Sequence, residues 1–168
     1  LAHGILKNKA KEQNIDIVVD SAGTSTYHIG LAPDRRSINI ASKHNIDISE
    51  QRAREFTRED LNNFDIIYAM DSSNYNHIIQ MAWDKNEMNK VKLILHKNRD
   101  VPDPYTGGDD GFEDVYQMLD QACEMIEKYQ KATGCQRFYT WAVPPGMSPS
   151  WSDEHIELMA SEVMPCFR

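Results

Sequence analysis

The sequence predicts an α/β fold in which helices cover both faces of a parallel sheet. Three short apolar runs, at residues 15–19, 66–70 and 91–95, have the length and composition of buried strands. Segments with helical spacing of apolar residues separate these runs, and strands that alternate with helices are typical of parallel sheets. Because such sheets bind ligands beyond the carboxyl ends of their strands, the polar residues that follow each strand are the first candidates for a site.

Residue spacing and capping residues indicate the helices of the first half of the chain. Residues 1–13 have the pattern of a helix body, before the first predicted strand. Asp34 is predicted to cap a helix that continues to about His44, since its side chain can accept a hydrogen bond from a free backbone amide. Thr57, followed three residues later by Asp60, predicts a capping box at the start of a short helix.

Two further helices are indicated in the second half. Ser72 or Ser73 is expected to open a helix directly after the strand at 66–70. The clearest amphipathic pattern of the chain follows the third strand, and its apolar residues are Phe112, Val115, Tyr116, Leu119, Ala122, Cys123 and Ile126. The chain is expected to divide near Lys131 into a domain at 1–131 and an extension at 132–168, which carries one short amphipathic helix.

Composition limits the classes of partner. The chain has 168 residues and a formal net charge of −8, which argues against nucleic acid or an anionic membrane as a partner. No run of eighteen apolar residues is present, so no membrane-spanning helix is expected. Three widely spaced cysteines are typical of a reduced, cytoplasmic protein. The histidines lack the spacing of metal ligands, and we expect neither a metal nor a cofactor.

The most informative segment follows the third strand, at residues 101–110. It places Asp103 between two prolines and next to Tyr105, and the prolines restrict the backbone around the carboxylate. Asp71 also follows a strand, and we interpret it as a helix cap. The pair Asp20 and Ser21 ends the first strand. These residues are expected to converge on one crevice at the edge of the sheet.

Several of these segments occur, in the same order, in a known family. They are residues 19–30, 32–37, 52–54, 69–74 and 103–105. From residue 1 to about 131 the sequence resembles the low-molecular-weight protein tyrosine phosphatases. The resemblance implies a cytosolic hydrolase with a three-layer fold and a four-stranded parallel sheet. It also implies that the substrate is a phosphotyrosine protein or a small aryl phosphate.

The resemblance implies a role for each candidate residue. Phosphate monoesters are hydrolysed in this family through a phosphocysteine intermediate, without a metal. Asp103 matches the general acid that protonates the leaving oxygen and later activates water. Tyr105 and Tyr27 match the two walls of a slot for an aromatic ring. Ser21 matches a serine that supports the phosphate-binding loop.

The sequence departs from the family at its signature loop, Cys-x5-Arg-Ser. Tyr129 and Trp141 stand six residues after Cys123 and Cys135, and Cys166 lies too near the end, so the sequence supplies neither the nucleophile nor the phosphate-binding arginine. The family's inner first strand is also expected to be missing, which would leave two strand edges unpaired. We therefore expect an N-terminally truncated domain that is inactive as given.

Other interpretations remain open at this stage. An arsenate reductase of the same fold would need additional redox cysteines, and a non-catalytic module that binds phosphate or a partner would not need the loop. Residues 143–148 and 162–165 faintly resemble the C-terminal end of luciferase-like flavin monooxygenases, but the tail is too short to bring a flavin site.

Overall fold

The computed structural model describes residues 1–95, 99–106, 108–133 and 137–139. Helices and strands alternate through most of the described chain. The helices are α1 (Ala2–Glu12), α2 (Arg35–Lys43), α3 (Arg58–Asn63), α4 (Ser72–Met81), α5 (Lys85–Lys90) and α6 (Gly108–Thr133). The strands are β1 (Val18–Asp20), β2 (Ile66–Ala69), β3 (Val91–Leu93) and β4 (Arg137–Tyr139), and a 3₁₀ turn covers Pro104–Thr106.

The four strands form one parallel sheet in the order β1-β4-β2-β3. Strand β4 lies between β1 and β2, with Phe138 in register with Val19 on one side and with Ile66 on the other. The predicted α/β class is confirmed. The expectation that two inner edges would be unpaired is wrong, because a strand from beyond residue 131 pairs with both of them.

Alternation along β2 divides the core into two layers. Ile66 and Tyr68 pack into one cluster, whereas Ile67 and Ala69 pack into the other, since successive side chains of a strand point to opposite faces. The first cluster contains buried apolar residues of α1, α2 and α6, and the second contains buried apolar residues of α3 and α4. Helices therefore cover both faces of the sheet, as the sequence predicts.

The predicted helix starts are confirmed. Asp34 accepts a hydrogen bond from the Arg36 amide at 2.7 Å, and Asp71 accepts one from the Asn74 amide at 2.7 Å. Thr57 and Asp60 form the expected capping box. Helix α5 is not predicted by the apolar pattern, because none of its six residues is buried and its start depends on the Asp84 side chain.

The described part of the chain contains no helix that combines the length and apolar character needed to cross a bilayer.

The boundary predicted near Lys131 lies inside α6, which continues to Thr133. The short helix predicted within 152–163 falls outside the described residues. The same is true of Cys135 and Cys166.

Candidate active site

The candidate site is built from two loops that leave the carboxyl ends of β1 and β3. We call residues 21–34 the wall loop and residues 99–106 the acid loop. Because all four strands are parallel, these ends meet at the same edge of the sheet. Ser21 and Tyr27 belong to the wall loop, and Asp103 and Tyr105 belong to the acid loop.

Backbone hydrogen bonds anchor the wall loop to the segment at residues 53–56. The Gly23 amide donates to the Arg54 carbonyl at 2.9 Å, and the Gly30 amide donates to the Ala53 carbonyl at 2.7 Å. Gly30 has a φ of 81°, a conformation that glycine adopts without the steric cost of a Cβ. Tyr27, which lies between these two anchor points, is 89% exposed.

Arg54 fastens the same segment to β1 and α3. Its Nη2 donates to Asp20 Oδ2 at 2.8 Å and to Asp60 Oδ1 at 2.9 Å, and its Nη1 donates to Asp60 Oδ2 at 2.9 Å. Asp60 is only 5% exposed and also accepts from the Thr57 amide at 2.8 Å. The carboxylates of Asp20 and Asp60 thus share the guanidinium of Arg54, which belongs to the segment that anchors the wall loop.

Ser21 contacts a residue that sequence analysis did not select. Its Oγ lies 3.1 Å from Nδ1 of His3 on α1. Burial holds the pKa of His3 below its usual value, although the Asp20 carboxylate acts in the opposite direction. The role of Ser21 in supporting a phosphate loop stays a prediction.

Contacts from other elements hold the acid loop. The Val101 amide donates to the Met70 carbonyl at 2.9 Å, which extends the pairing beyond β2. Asp100 Oδ1 accepts from both the amide and the hydroxyl of Ser72, at 2.8 and 2.7 Å. The loop is thereby attached to the N-terminus of α4.

Within the acid loop, the carboxylate of Asp103 is fixed by its own turn. Asp103 Oδ1 accepts from the Tyr105 amide at 2.9 Å, a local bond of the kind that aspartate makes in tight turns. Asp103 is exposed, and the Tyr105 side chain is 67% exposed. The Tyr105 carbonyl accepts a bond of 3.3 Å from Nη1 of Arg36 on α2.

Helix α4 connects the two loops. Thr24 Oγ1 of the wall loop donates to Asn74 Oδ1 at 3.0 Å, while Ser72 on the same helix binds Asp100. Asp71 caps α4 through the Asn74 amide, which confirms its interpretation as a cap. Helix α4 thus contacts both loops that carry the predicted site residues, through Thr24 and Asp100.

Sequence reasoning missed Arg36, Asp100 and His3. Asp100 directly precedes the informative loop, but its partner Ser72 lies 28 residues away, so a search for local caps could not have found it. Arg36 and His3 act across long distances in sequence, and no local pattern marks them.

Across the described ranges, no group of three or more His, Cys, Asp or Glu side chains has an arrangement that could hold a metal ion.

Comparison with known proteins identifies the family. Residues 1–133 match the family model described as low molecular weight phosphotyrosine protein phosphatase. A chain from Synechocystis sp., whose name places it among the low molecular weight protein-tyrosine-phosphatases, is 45% identical over 112 residues, 64% of this chain and 71% of that one. The rat low molecular weight phosphotyrosine protein phosphatase is 35% identical over 136 residues, 76% of this chain and 85% of that one.

A solved structure gives the same result. YfkJ from Bacillus subtilis superimposes with a TM-score of 0.70 at 31% identity and covers 77% of this chain and 84% of that one. Members of the matched family are protein-tyrosine phosphatases, and therefore hydrolases. The chain belongs to the low molecular weight phosphotyrosine protein phosphatase family.

Proposed function

We propose that this chain supplies the acid loop and the substrate walls of a phosphatase site that hydrolyses phosphotyrosine or small aryl phosphates. The observation that carries the proposal is the acid loop. It presents the exposed residues Asp103 and Tyr105, and it is attached to α4 through Ser72, to α2 through Arg36 and to Met70, the residue that follows β2. A general acid needs such fixed placement, because proton transfer depends on geometry.

The proposed reaction has two steps. A cysteine thiolate attacks phosphorus and forms a phosphocysteine, while the tyrosyl oxygen leaves and takes a proton from Asp103. Water then attacks the phosphocysteine, gives its proton to Asp103, and releases phosphate and the thiolate. Tyr105 and Tyr27 bind the aromatic ring on its two faces. Ser21 supports the loop that carries the thiolate.

The 168 residues contain no cysteine followed six residues later by arginine. We therefore expect them to be inactive alone, with the thiolate and phosphate-binding arginine supplied by a segment outside this sequence. Strand β4 lies between β1 and β2, which is the position where the family's first strand is expected. An added first strand would therefore have to displace β4.

The arsenate reductase alternative is disfavoured by Cys123. Burial raises the pKa of its thiol to about 12, and the side chain is completely buried against α1, with Sγ 3.8 Å from the Ala2 carbonyl. A redox cysteine needs an accessible thiolate. Cys123 is therefore a core residue.

The proposal is tested in a restored domain, in which a strand and a Cys-x5-Arg-Ser loop precede Leu1. The domain is made with and without residues 134–168, since β4 and the added strand compete for one position. We expect Asp103→Asn to slow phenyl phosphate hydrolysis by roughly 100-fold. Hydrolysis of para-nitrophenyl phosphate should slow far less, because its leaving group needs little protonation.

Asp110→Asn is the matched control, because Asp110 is an exposed aspartate of the following helix. It should leave both rates nearly unchanged. Equal slowing of both substrates by Asp103→Asn would remove Asp103 from the role of general acid. A folded restored domain that binds phosphate without turnover would favour a non-catalytic module.

A further inference from the structure

Arg36 lies between the aromatic ring of the acid loop and the core ring at the start of α6. Its guanidinium carbon is 4.8 Å from the centroid of the Tyr105 ring and 4.4 Å from the centroid of the Phe112 ring. Both distances are within the range of cation–π attraction. One guanidinium therefore attaches the exposed ring of Tyr105 to the buried ring of Phe112.

The orientation of this guanidinium is fixed from the other side by Asp34. Arg36 Nε and Nη2 donate to the two carboxylate oxygens of Asp34, each at 3.1 Å, and the Arg36 amide donates to Asp34 Oδ1. This two-point pairing holds the guanidinium plane in a way that an ammonium group cannot reproduce. The cap of α2 is thus also the support of the Arg36 side chain.

The contacts of Arg36 continue to the candidate acid. The Tyr105 carbonyl accepts from Arg36 Nη1, and the Tyr105 amide donates to Asp103 Oδ1. The backbone of Tyr105 is therefore held on both sides, by Arg36 at its carbonyl and by Asp103 at its amide. We therefore expect a substitution at Arg36 to affect the placement of the ring and, through the backbone of Tyr105, that of the carboxyl group.

From these contacts we infer that Arg36 is a positioning residue that makes the site selective for phosphates with an aromatic ring. It sets the Tyr105 ring as a wall and the Asp103 carboxyl as an acid, although it touches no reacting atom. The inference rests on the proposed function. It goes beyond that function because it assigns the discrimination between aryl phosphate and bare phosphate to a residue of α2.

The first measurement uses the 168-residue chain itself and does not depend on catalysis. Hydrogen exchange of the Tyr105 amide is compared in the native chain, Arg36→Gln and Arg35→Gln. Arg35 is the exposed neighbour on the same helix turn and serves as the matched control. We expect exchange at least severalfold faster in Arg36→Gln and unchanged in Arg35→Gln. An unchanged rate in Arg36→Gln would overturn the inference.

The second measurement uses the restored domain and separates aryl binding from phosphate binding. Arg36→Gln should weaken the apparent affinity for para-nitrophenyl phosphate, seen as a rise in KM of about tenfold, while the inhibition constant of inorganic phosphate changes less than about twofold. Arg36→Lys should restore little, because it keeps the charge but loses the planar stack. A parallel rise of both constants indicates a general structural defect and contradicts the inference.

The outcomes also separate this inference from the proposed function. If Asp103→Asn shows no dependence on the leaving group, but Arg36→Gln still raises the KM for the aryl substrate, the general-acid proposal fails and only the positioning of the Tyr105 ring by Arg36 stands. If amide exchange rises in Arg36→Gln and the KM for the aryl substrate does not, Arg36 only stabilises the loop and the selectivity is refuted.

Discussion

The wall loop and the acid loop are held in different ways. The wall loop is anchored mainly by backbone hydrogen bonds to residues 53–56, which do not depend on side-chain identity. Within the described part of the acid loop, one such bond joins Val101 to Met70, and side chains supply further contacts, from Asp100 to α4 and from Arg36 of α2 to Tyr105. The backbone of the wall loop is thus tied into the fold, whereas the placement of Asp103 depends more on a few side chains.

This difference predicts different responses to mutation. Substitutions below the wall loop should destabilise the whole domain, because Arg54 and Asp60 join the loop to the sheet and to α3. Substitutions at the acid loop should act locally, since their partners are partly exposed. Local changes can alter the site without unfolding the protein.

The largest effect is expected for Asp60→Ala. The change removes a buried carboxylate that binds the Thr57 amide and Arg54, and Arg54 is one-third exposed and keeps its pair with Asp20, so the lost charged hydrogen bonds should cost about 2–3 kcal/mol. Urea unfolding measures the loss in the free energy of unfolding. Glu59→Ala, at an exposed position of the same helix turn, should change this free energy little. A loss below about 1 kcal/mol in Asp60→Ala would contradict the comparison.

A smaller effect is expected for Asp100→Ala. The variant loses two hydrogen bonds to Ser72 at an exposed position, worth about 1 kcal/mol in total. Hydrogen exchange should become faster in the acid loop and stay unchanged in residues 53–56. Asp16→Ala, an exposed aspartate ahead of β1, controls for the loss of one charge. Faster exchange in both regions would mean that the two loops are not independently held.

The smallest effect is on the titration of Asp34. The side-chain hydrogen bond from Arg36, followed by the backbone bond, lowers the pKa of Asp34. In Arg36→Gln the first cause is removed, and the pKa should rise toward its usual value. Carboxyl-carbon NMR measures this change. The pKa of Asp47, lowered chiefly by the Ser49 amide, should stay the same.

The sign of the linked stability follows from the lowered pKa. A carboxyl whose pKa is lower in the folded state stabilises the protein above its unfolded pKa, and this contribution is lost as the pH falls. The native chain should therefore exceed Arg36→Gln in stability above about pH 4, with a gap that narrows at more acid pH. A gap of constant size would exclude Asp34 as its source.

Local signals were sufficient for most elements of the fold. Asp34, Thr57 with Asp60, and Asp71 mark helix starts because capping depends on residues within one turn. Helix α5 was not predicted because none of its residues is buried, so its sequence lacks the helical spacing of apolar residues. The resemblance to the family and the order of its segments were enough to name the candidate site residues Asp103, Tyr105, Tyr27 and Ser21. The residues that contact them or their loops, His3, Arg36 and Asp100, could not be named in this way.

By itself, the sequence determined the α/β class, the helix caps and the segment that presents Asp103, because periodicity, capping and proline restriction operate over a few neighbouring residues. Only the tertiary structure decided that β4 lies between β1 and β2, and that Arg36 supports Tyr105 from 69 residues away. A three-residue strand carries too little pattern to specify its partners. A guanidinium can stack on any ring within reach, and the fold determines which ring that is.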